Sequence, residues 1–305
     1  MCPPLELPLQ QLSKINIIVL LALDVVPGIL TVFGNLIFLA TLIKTRSLHR
    51  PSNVILGGLC VSDLLVGFVV RPLYLVFLYM ILQGNYSGLV KELFSKTFFF
   101  CGGLSFCFVA QVSVDRYVAI SQPYFYTRSA TCKKHVYITV FHGCFWLLFS
   151  SFNVYGPTKS SSVYKAAIMG YLVICIITML IVYSRIYCIV ASKRKTVAAL
   201  ELVNGDTRTR AIRERRERSK SRLFAMILGF FFLSYTPYLI LLTFFAVSGN
   251  SCWDNEFNFI SNQWINFILL WNSCINPVIY CVKSSEIRRC AKVLMQGFTM
   301  NCKVQ

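Results

Sequence analysis

Asn276-Pro277-Val278-Ile279-Tyr280 lies near the end of the last long apolar segment of this chain, and Asp115-Arg116-Tyr117 closes the third such segment. Amide and charged side chains are costly inside a lipid bilayer, so those found within apolar segments are functional hypotheses by default. The apolar segments around these two clusters predict the fold, and the clusters themselves indicate where function is carried.

Composition predicts a membrane protein with several spans. Hydrophobic residues make up 56% of the 305 residues and charged residues only 14%, and the mean hydropathy is +0.63. About 20 mostly apolar residues suffice for a transmembrane helix. Seven such windows, here named spans one to seven, occur at residues 15–43, 53–82, 89–121, 136–155, 163–190, 223–247 and 257–282. Because lipid tolerates only helices and closed barrels, and the alternating pattern of a barrel is absent, we predict an all-α seven-transmembrane helix bundle.

Lysine and arginine are distributed unevenly between the two sets of alternating loops. One set, which includes the C-terminal segment, carries 22 of these residues and the other set only five. Because basic loops stay on the cytosolic side, we expect a multi-pass plasma-membrane protein with an extracellular N-terminus and a cytoplasmic C-terminus. The net charge of +18 then follows from topology, with anionic membrane lipid as a partner. Nucleic acid is not expected as a partner, because the most basic run lies between two spans.

The chain divides into three parts by composition. Residues 1–14 form a short extracellular N-terminus, residues 15–282 the seven-transmembrane domain, and residues 283–305 a cytoplasmic tail. Apolar residues alternate with cations at the start of the tail, which predicts a short amphipathic helix on the inner leaflet. A solvated helical end is the alternative.

The predicted outer face carries few features that imply covalent modification. Asn85-Tyr86-Ser87 is a sequon for glycosylation of Asn85. Of the thirteen cysteines, only Cys2 and Cys252 fall in outer segments, where a disulfide persists. The cysteines inside the spans are most simply small packing residues.

Five polar residues of spans two, three and seven reach a similar depth near the middle of the bilayer. Ser105, for example, lies eleven residues outward of Arg116, or about 16 Å at about 1.5 Å per residue. The five are Asp63, Ser105, Asn272, Ser273 and Asn276. A carboxylate at this depth must pair, bind a cation or take up a proton. The converging oxygens favour a site for Na⁺ or a proton over simple contact between helices.

Asp24 and Arg71 are two charges placed high in the bundle, at similar distances from the inner ends of spans one and two. Three interpretations fit this placement. The two side chains pair, or Arg71 binds an anionic group of a ligand, or each side chain extends to the lipid headgroups.

No enzymatic or transport site is evident. The three histidines, His49, His135 and His142, lack metal-ligand spacing, and neither a phosphate-binding loop nor a nucleophile elbow occurs. A secondary transporter would show broken helices and usually an inverted repeat, which are also absent. We therefore expect that the protein is not an enzyme and uses no cofactor other than a possible allosteric Na⁺.

Each of the seven spans carries one short motif. The motifs are, in order, Gly34-Asn35, Leu59 to Leu65 with Asp63, Asp115-Arg116-Tyr117, Trp146, Tyr183, Pro237 and Asn276 to Tyr280. With these motifs the chain resembles the rhodopsin-like (class A) G-protein-coupled receptors over residues 28–295. The resemblance implies a receptor that binds an extracellular ligand and activates heterotrimeric G proteins, with arrestin as a further partner. The last motif and the residues around it are similar to the branch that holds melanocortin, adenosine, cannabinoid and lysophospholipid receptors.

The resemblance also implies an activation switch at the inner ends of the spans. Arg116 would be held in the inactive state by Asp115 and Glu217, whereas Tyr183 and Tyr280 would swing towards it on activation. Prolines in spans six and seven would permit kinks that let span six pivot. Alternatively, Glu217 is a surface acid that pairs with nearby arginines. The switch residues are Asp115, Arg116, Tyr117, Glu217, Tyr183, Pro237, Tyr235, Phe231, Asn276, Pro277 and Tyr280.

Three positions depart from the family pattern. Lys91 stands where the family has the span-three cysteine of its outer disulfide, and the loop after span four has no cysteine, so that bridge is absent. A bond between the two outer-segment cysteines is the alternative. Cys175 replaces the span-five proline and Tyr235 the span-six tryptophan. These changes leave open how ligand binding reaches Phe106 and Phe231.

The resemblance narrows the ligand to a non-amine small molecule, a lipid or a peptide. Amine receptors of the family carry an Asp where this chain has Phe98, and opsins carry the retinal-binding Lys where it has Leu270. The altered positions in spans five and six also admit a non-signalling scaffold or chaperone-like relative as the alternative function. The expected ligand pocket is apolar and aromatic, although such residues are as often plain helix packing. It consists of Phe98, Phe99, Gly102, Tyr171, Tyr238, Leu242, Asn266 and Arg71.

Overall fold

The computed structural model describes residues 11–155, 170, 173–189, 192, 226–241 and 255–296, and these residues form helices and no strand. Span one is Gln11–Lys44, span three Gly88–Ser121, span four Cys132–Tyr155 and span seven Asn255–Lys283. Span two is Pro51–Leu82, and spans five and six are described over Val173–Ile189 and Met226–Leu241. Two shorter helices are named here the linker helix, Pro123–Ser129, and the terminal helix, Ser285–Met295.

Four of the described helices are long and apolar enough to cross a membrane, namely Ser13–Lys44, Pro51–Leu82, Gly88–Ser121 and Asn258–Val282. Their outward faces carry exposed apolar side chains such as Ile18, Phe33 and Phe68. Faces of this kind suit lipid rather than water. Within the bundle, span one packs on spans two and seven, span two also packs on spans three and four, and span three packs on span four.

Two glycines allow spans to approach closely. A Cβ atom at Gly103 would lie 1.8 Å from the ring of Trp146, and one at Gly34 would lie 2.9 Å from Pro277. Trp146 is fully buried, and its indole nitrogen donates to the Phe100 carbonyl at 2.8 Å. Because only glycine leaves this space open, the motifs of spans one, three, four and seven act as packing contacts that set the distances between helices.

Span two changes its winding halfway along its length. An α-helix over Pro51–Leu65 gives way to a π-helical turn over Val66–Val70, and the α-helix resumes over Arg71–Leu82. A π-turn adds residues to one turn and so rotates everything beyond it around the helix axis. The rotation directs Arg71 towards span one, where it contacts Asp24.

The terminal helix is amphipathic, as the sequence predicts. Ser284 caps its N-terminus by accepting from the Ile287 amide at 3.3 Å. Glu286 pairs with Arg50 at 3.1 Å and ties the helix to the loop after span one. One face buries Ile287, Cys290 and Ala291, whereas the other exposes Arg288, Arg289 and Lys292.

Candidate functional site

A cavity of about 30 Å³ lies between spans two, three, six and seven, and all five of the predicted mid-bilayer polar residues line it. The cavity has room for one water-sized particle. Its upper part is lined by Phe98, Gly102, Tyr235 and Leu270. The structure therefore brings together the proposed cation site and part of the proposed ligand pocket.

Among the described residues that line this cavity, Asp63 is the only one with a carboxylate, and it is 1% exposed. Its Oδ2 accepts from the Asn276 amide nitrogen at 2.9 Å, and the Ser273 side chain also interacts with the carboxylate. Its Oδ1 has no close hydrogen-bond partner among the described residues. A buried carboxylate oxygen without a partner is strongly unfavourable in a medium of low dielectric constant. A cation or a proton at this oxygen would remove that cost, and the cation site itself stays a prediction.

The other oxygens around Asp63 are held by contacts between spans. The Ser105 hydroxyl lies 3.0 Å from that of Ser62, and the Asn272 side-chain oxygen accepts from Ser234 of span six at 3.0 Å. Asn35 of span one donates to the Ser273 carbonyl at 3.0 Å. Because five spans contribute to these contacts, a movement of any one of them alters the surroundings of the cavity.

Three aromatic rings in mutual contact lie beside the cavity, and we name them the aromatic stack. Phe231 and Tyr235 of span six are stacked with their ring centroids 4.5 Å apart, and Phe106 of span three meets them edge-on at 4.9 and 5.8 Å. Tyr235 thus contacts both rings below it, although the family has tryptophan at this position. The substitution does not disconnect the upper cavity from Phe106 and Phe231.

Arg116 is buried and bonded to its own neighbour in the chain. It is 4% exposed, and its Nε donates to Asp115 Oδ2 at 2.9 Å. Its Nη2 donates to the same oxygen and to the hydroxyl of Tyr126 on the linker helix at 3.1 Å. That hydroxyl donates in turn to Asp115 Oδ1 at 2.9 Å, and burial raises the pKa of Tyr126 above its usual range.

His135 of span four completes this cluster. Its Nε2 lies 2.7 Å from Asp115 Oδ1, and its Nδ1 lies 3.0 Å from the Thr131 carbonyl oxygen. Both ring nitrogens thus lie within hydrogen-bond distance of oxygen atoms, and the tautomer decides which nitrogen donates. His135 therefore links span four to Asp115 of span three.

Sequence reasoning missed Tyr126 and His135 because neither belongs to a motif. The spacing of the three histidines bears only on metal binding. Among the described residues, no group of three or more potential metal-binding side chains occurs. A signal was nevertheless present. His135 lies at the start of span four, at the depth of Asp115, where a buried carboxylate needs partners from neighbouring helices.

The remaining switch residues lie around this cluster and the cavity. Tyr183 of span five interacts with Ser113 one turn from Arg116. Tyr280 is fully buried, its ring packs 4.4 Å from Phe38, and its hydroxyl has no hydrogen-bond partner. Glu217 lies outside the described residues, as do Tyr171, Leu242, Cys2 and Cys252.

Three further residues of the predicted ligand pocket, and the residue of the glycosylation sequon, lie in the described part of the chain. Phe99 packs 5.5 Å from Trp146, at the contact of spans three and four. Asn266 and Tyr238 are partly buried. Asn85 of the sequon is exposed in the turn between spans two and three.

Asp24 and Arg71 form a buried ion pair, which is the first of the three interpretations of these charges. Their side chains are only 1% and 2% exposed. Arg71 Nη1 donates to Asp24 Oδ1, and its Nη2 donates to the Leu270 carbonyl of span seven at 2.9 Å. This pair therefore links spans one, two and seven directly above the cavity.

Comparison with known proteins places these features in one family. The description "7 transmembrane receptor (rhodopsin family)" matches residues 34–164 and 150–280. Trace amine-associated receptor 7d of Rattus norvegicus is 26% identical over 303 residues, which covers 88% of this chain and 80% of the relative. Melanocortin receptor 5 of Mus musculus is 22% identical over 296 residues, covering 91% and 85%. Trace amine-associated receptor 9 of Homo sapiens is 23% identical over 302 residues, covering 88% and 82%.

Replacing Arg71 with Met is expected to lower the melting temperature of the purified protein strongly. The change leaves the Asp24 carboxylate buried without its cation, and breaking a buried pair in this way costs about 3–5 kcal/mol. The double variant Asp24→Asn with Arg71→Met should recover much of the loss, because no isolated charge remains.

The control is Arg50→Met, which breaks the ion pair with Glu286. Those two side chains are 43% and 26% exposed, and such pairs contribute about 0–1 kcal/mol. Equal destabilisation by both arginine substitutions, or no recovery in the double variant, would contradict a buried pair that acts as a unit.

Proposed function

Because the chain belongs to the rhodopsin family of seven-transmembrane receptors, we propose that it binds a non-amine extracellular ligand and answers by presenting Arg116 to a heterotrimeric G protein. Family membership makes the protein a multi-pass G-protein-coupled receptor of the plasma membrane and not an enzyme. The ligand class, the orientation and the residues of the switch are the proposal.

The observation that carries the proposal is the burial of Arg116, which is only 4% exposed. Its hydrogen bonds include those to Asp115 of span three and to Tyr126 of the linker helix. A G protein can reach the guanidinium only after a rearrangement that uncovers it, and a movement of span six would provide one. We propose that Glu217 adds the restraint from span six, as the family resemblance implies.

The linker helix supplies a surface for the G protein. Tyr124 is 91% exposed and Phe125 is 60% exposed, and exposed aromatic residues side by side are typical of interaction sites. Tyr126 on the same helix bonds both Asp115 and Arg116. A partner bound to Tyr124 and Phe125 would thus be coupled mechanically to the switch. Arrestin would use the same face.

Loop charge supports an orientation with this face in the cytosol. The loops and tail on its side hold 22 lysine and arginine residues, against five on the other side, as the positive-inside rule requires. The terminal helix would then lie on the inner leaflet with its exposed cations among anionic headgroups.

The upper end of the cavity supports a ligand other than a simple amine. Its lining includes Phe98, Gly102 and Tyr235, and no carboxylate occupies the position of Phe98 to pair with an ammonium group. The buried Asp24 is already paired with Arg71. Two of the relatives named above are called trace amine-associated receptors. We nevertheless propose a non-amine ligand for this chain, because Phe98 offers no charge to pair with an amine.

We propose that a ligand acts through the aromatic stack. The Tyr235 hydroxyl lies 3.5 Å from the position that a Cβ atom of Gly102 would occupy, so a group bound at this level presses directly on span six. Tyr235 stacks on Phe231 and meets Phe106. Pro237, two residues outward, removes a backbone hydrogen bond and gives span six a point at which to bend.

The unpartnered Asp63 oxygen supports an allosteric Na⁺ in the cavity of about 30 Å³. Hydroxyl and amide oxygens suit Na⁺ as a hard cation, and the residues present fit it. They are Asp63, Ser105, Asn272, Ser273 and Asn276. Because spans two, three and seven all contribute, Na⁺ would favour the state in which these spans are close together.

Substitution Arg116→Ala is expected to abolish G-protein activation, and Glu217→Ala is expected to raise basal activation several-fold. An ion pair at the half-wet inner end contributes about 0.5–2 kcal/mol, and about 1.4 kcal/mol is a tenfold change in population. The measurement is basal nucleotide exchange on a panel of G proteins at matched surface expression.

The control for lost positive charge is Arg289→Ala, which removes an exposed cation of the terminal helix. Full coupling by Arg116→Ala would refute the proposed switch. No exchange on any G protein by the unmodified receptor, even with peptide, lipid, nucleoside and amine libraries, would favour the non-signalling scaffold instead.

Sodium is expected to raise the melting temperature of the purified receptor relative to choline at equal ionic strength. At about ten times its Kd, a ligand that binds only the folded state adds about 1.4 kcal/mol of stability. Asp63→Asn should remove the effect while it keeps the shape of the side chain. The site would be wrong if Na⁺ shifts the melting of Asp63→Asn as much as that of the unmodified protein.

A further inference from the structure

A groove of about 570 Å³ lies between spans three and four beside the linker helix, and Ile55 of span two and Cys175 of span five also line it. Its volume is far larger than that of the central cavity and falls within the range of about 300–1,000 Å³ that small-molecule sites occupy. The proposed mechanism uses one end of this groove, the Asp115 cluster, but leaves the rest without a role. We name it the linker groove.

The long wall of the linker groove is apolar and faces outward from the bundle. Val114 and Ile138 are 44% and 45% exposed, and Val118 continues the same wall. Cys107 and Val118 both line the groove and are eleven residues apart, or about 16 Å along span three. Because the hydrocarbon core of a bilayer is about 30 Å thick, the groove spans the depth of one leaflet. One acyl chain lying along the helix matches this length and width.

At mid-depth, the polar side chain in the wall of the groove is already hydrogen-bonded within the protein. The Gln111 side chain lines the groove, but its nitrogen donates to Thr139 Oγ1 at 3.1 Å. Its oxygen lies 3.1 Å from His142 Nδ1. With Gln111 occupied on both sides, the deeper half of the groove suits a hydrocarbon chain.

The end of the linker groove nearest the linker helix carries positive charge. Lys134 lines it, and its ammonium group donates to the Ser129 carbonyl at 3.1 Å. Asp115 is the acidic residue at this end of the groove, and both Arg116 and His135 are within hydrogen-bond distance of its carboxylate. The Asp115 carboxylate and the Arg116 guanidinium compensate each other. Lys134 then leaves a net positive charge at this end, which complements an anionic headgroup.

We propose that the linker groove binds a single-chain anionic lipid, a long-chain fatty acid, with its carboxylate at Lys134 and its chain along Val114, Val118 and Ile138. Bound there, the lipid joins span four to the linker helix beside the bonds of Arg116. It is therefore placed to alter G-protein coupling from within the membrane, at a site separate from the extracellular ligand.

The test is photolabelling of the purified full-length receptor in detergent with a palmitate that carries a diazirine and an alkyne. Labelling needs no G protein and no agonist, so its outcome is independent of whether the receptor signals. Peptide mapping should find the label on spans three and four. Free palmitate should compete with the probe, whereas methyl palmitate, which has the same chain without the charge, should compete at least roughly fivefold less well.

Two matched pairs of variants locate the site. Lys134→Ala should reduce labelling by roughly fivefold, whereas Lys133→Ala, at an exposed neighbour that does not line the groove, should not. Ile138→Trp should block the chain, whereas Val136→Trp, at a position equally exposed but outside the groove, should leave labelling intact.

Equal competition by palmitate and methyl palmitate would overturn the proposal and reduce the groove to ordinary contact with bulk lipid. Stronger competition by dipalmitoyl phosphatidate than by palmitate would also overturn it, because the occupant would then be a two-chain phospholipid. Labelling that is unchanged in both Lys134→Ala and Ile138→Trp would place the probe elsewhere and refute the site.

Discussion

A charged or amide side chain inside this bundle has no water to bind, so it must find a partner on another helix. Asp63 bonds Asn276 of span seven, and Asp115 bonds His135 of span four. Each contact joins two spans that the apolar faces alone would leave free to slide or rotate. These polar contacts therefore fix the register of the bundle, and any change that moves one span must exchange some of them.

The contacts also explain how one fold serves both packing and switching. Arg116 is stabilised by residues of span three and the linker helix, and the cavity around Asp63 is closed by residues of several spans. Tyr235 and Phe231 of the aromatic stack line the same cavity. In the proposed switch, a signal that enters above the cavity would exchange these contacts between two states of the same helices.

Much of this arrangement could be predicted from the sequence because helical rise is nearly constant. Counting residues along each span placed Asp63 and Ser105 at one depth, and both line one cavity. Rotation about the helix axis could not be predicted in the same way. Nothing in the sequence marks the π-turn over Val66–Val70 that directs Arg71 towards Asp24. In the same way, residue counting does not show that Phe99, which was expected in the ligand pocket, packs against Trp146. His135 was missed because its role depends on a partner twenty residues away.

The central claim is that this bundle switches between two states and is not a static scaffold. Spin labels introduced as unnatural amino acids at Ile43 and Met226, which are 66% and 36% exposed, would report the distance between the inner ends of spans one and six. Measured by pulsed electron spin resonance in lipid nanodiscs, the distribution should gain a longer component when nucleotide-free G protein is added, and Arg116→Ala should prevent this gain. A single distribution that no G protein changes would contradict the account.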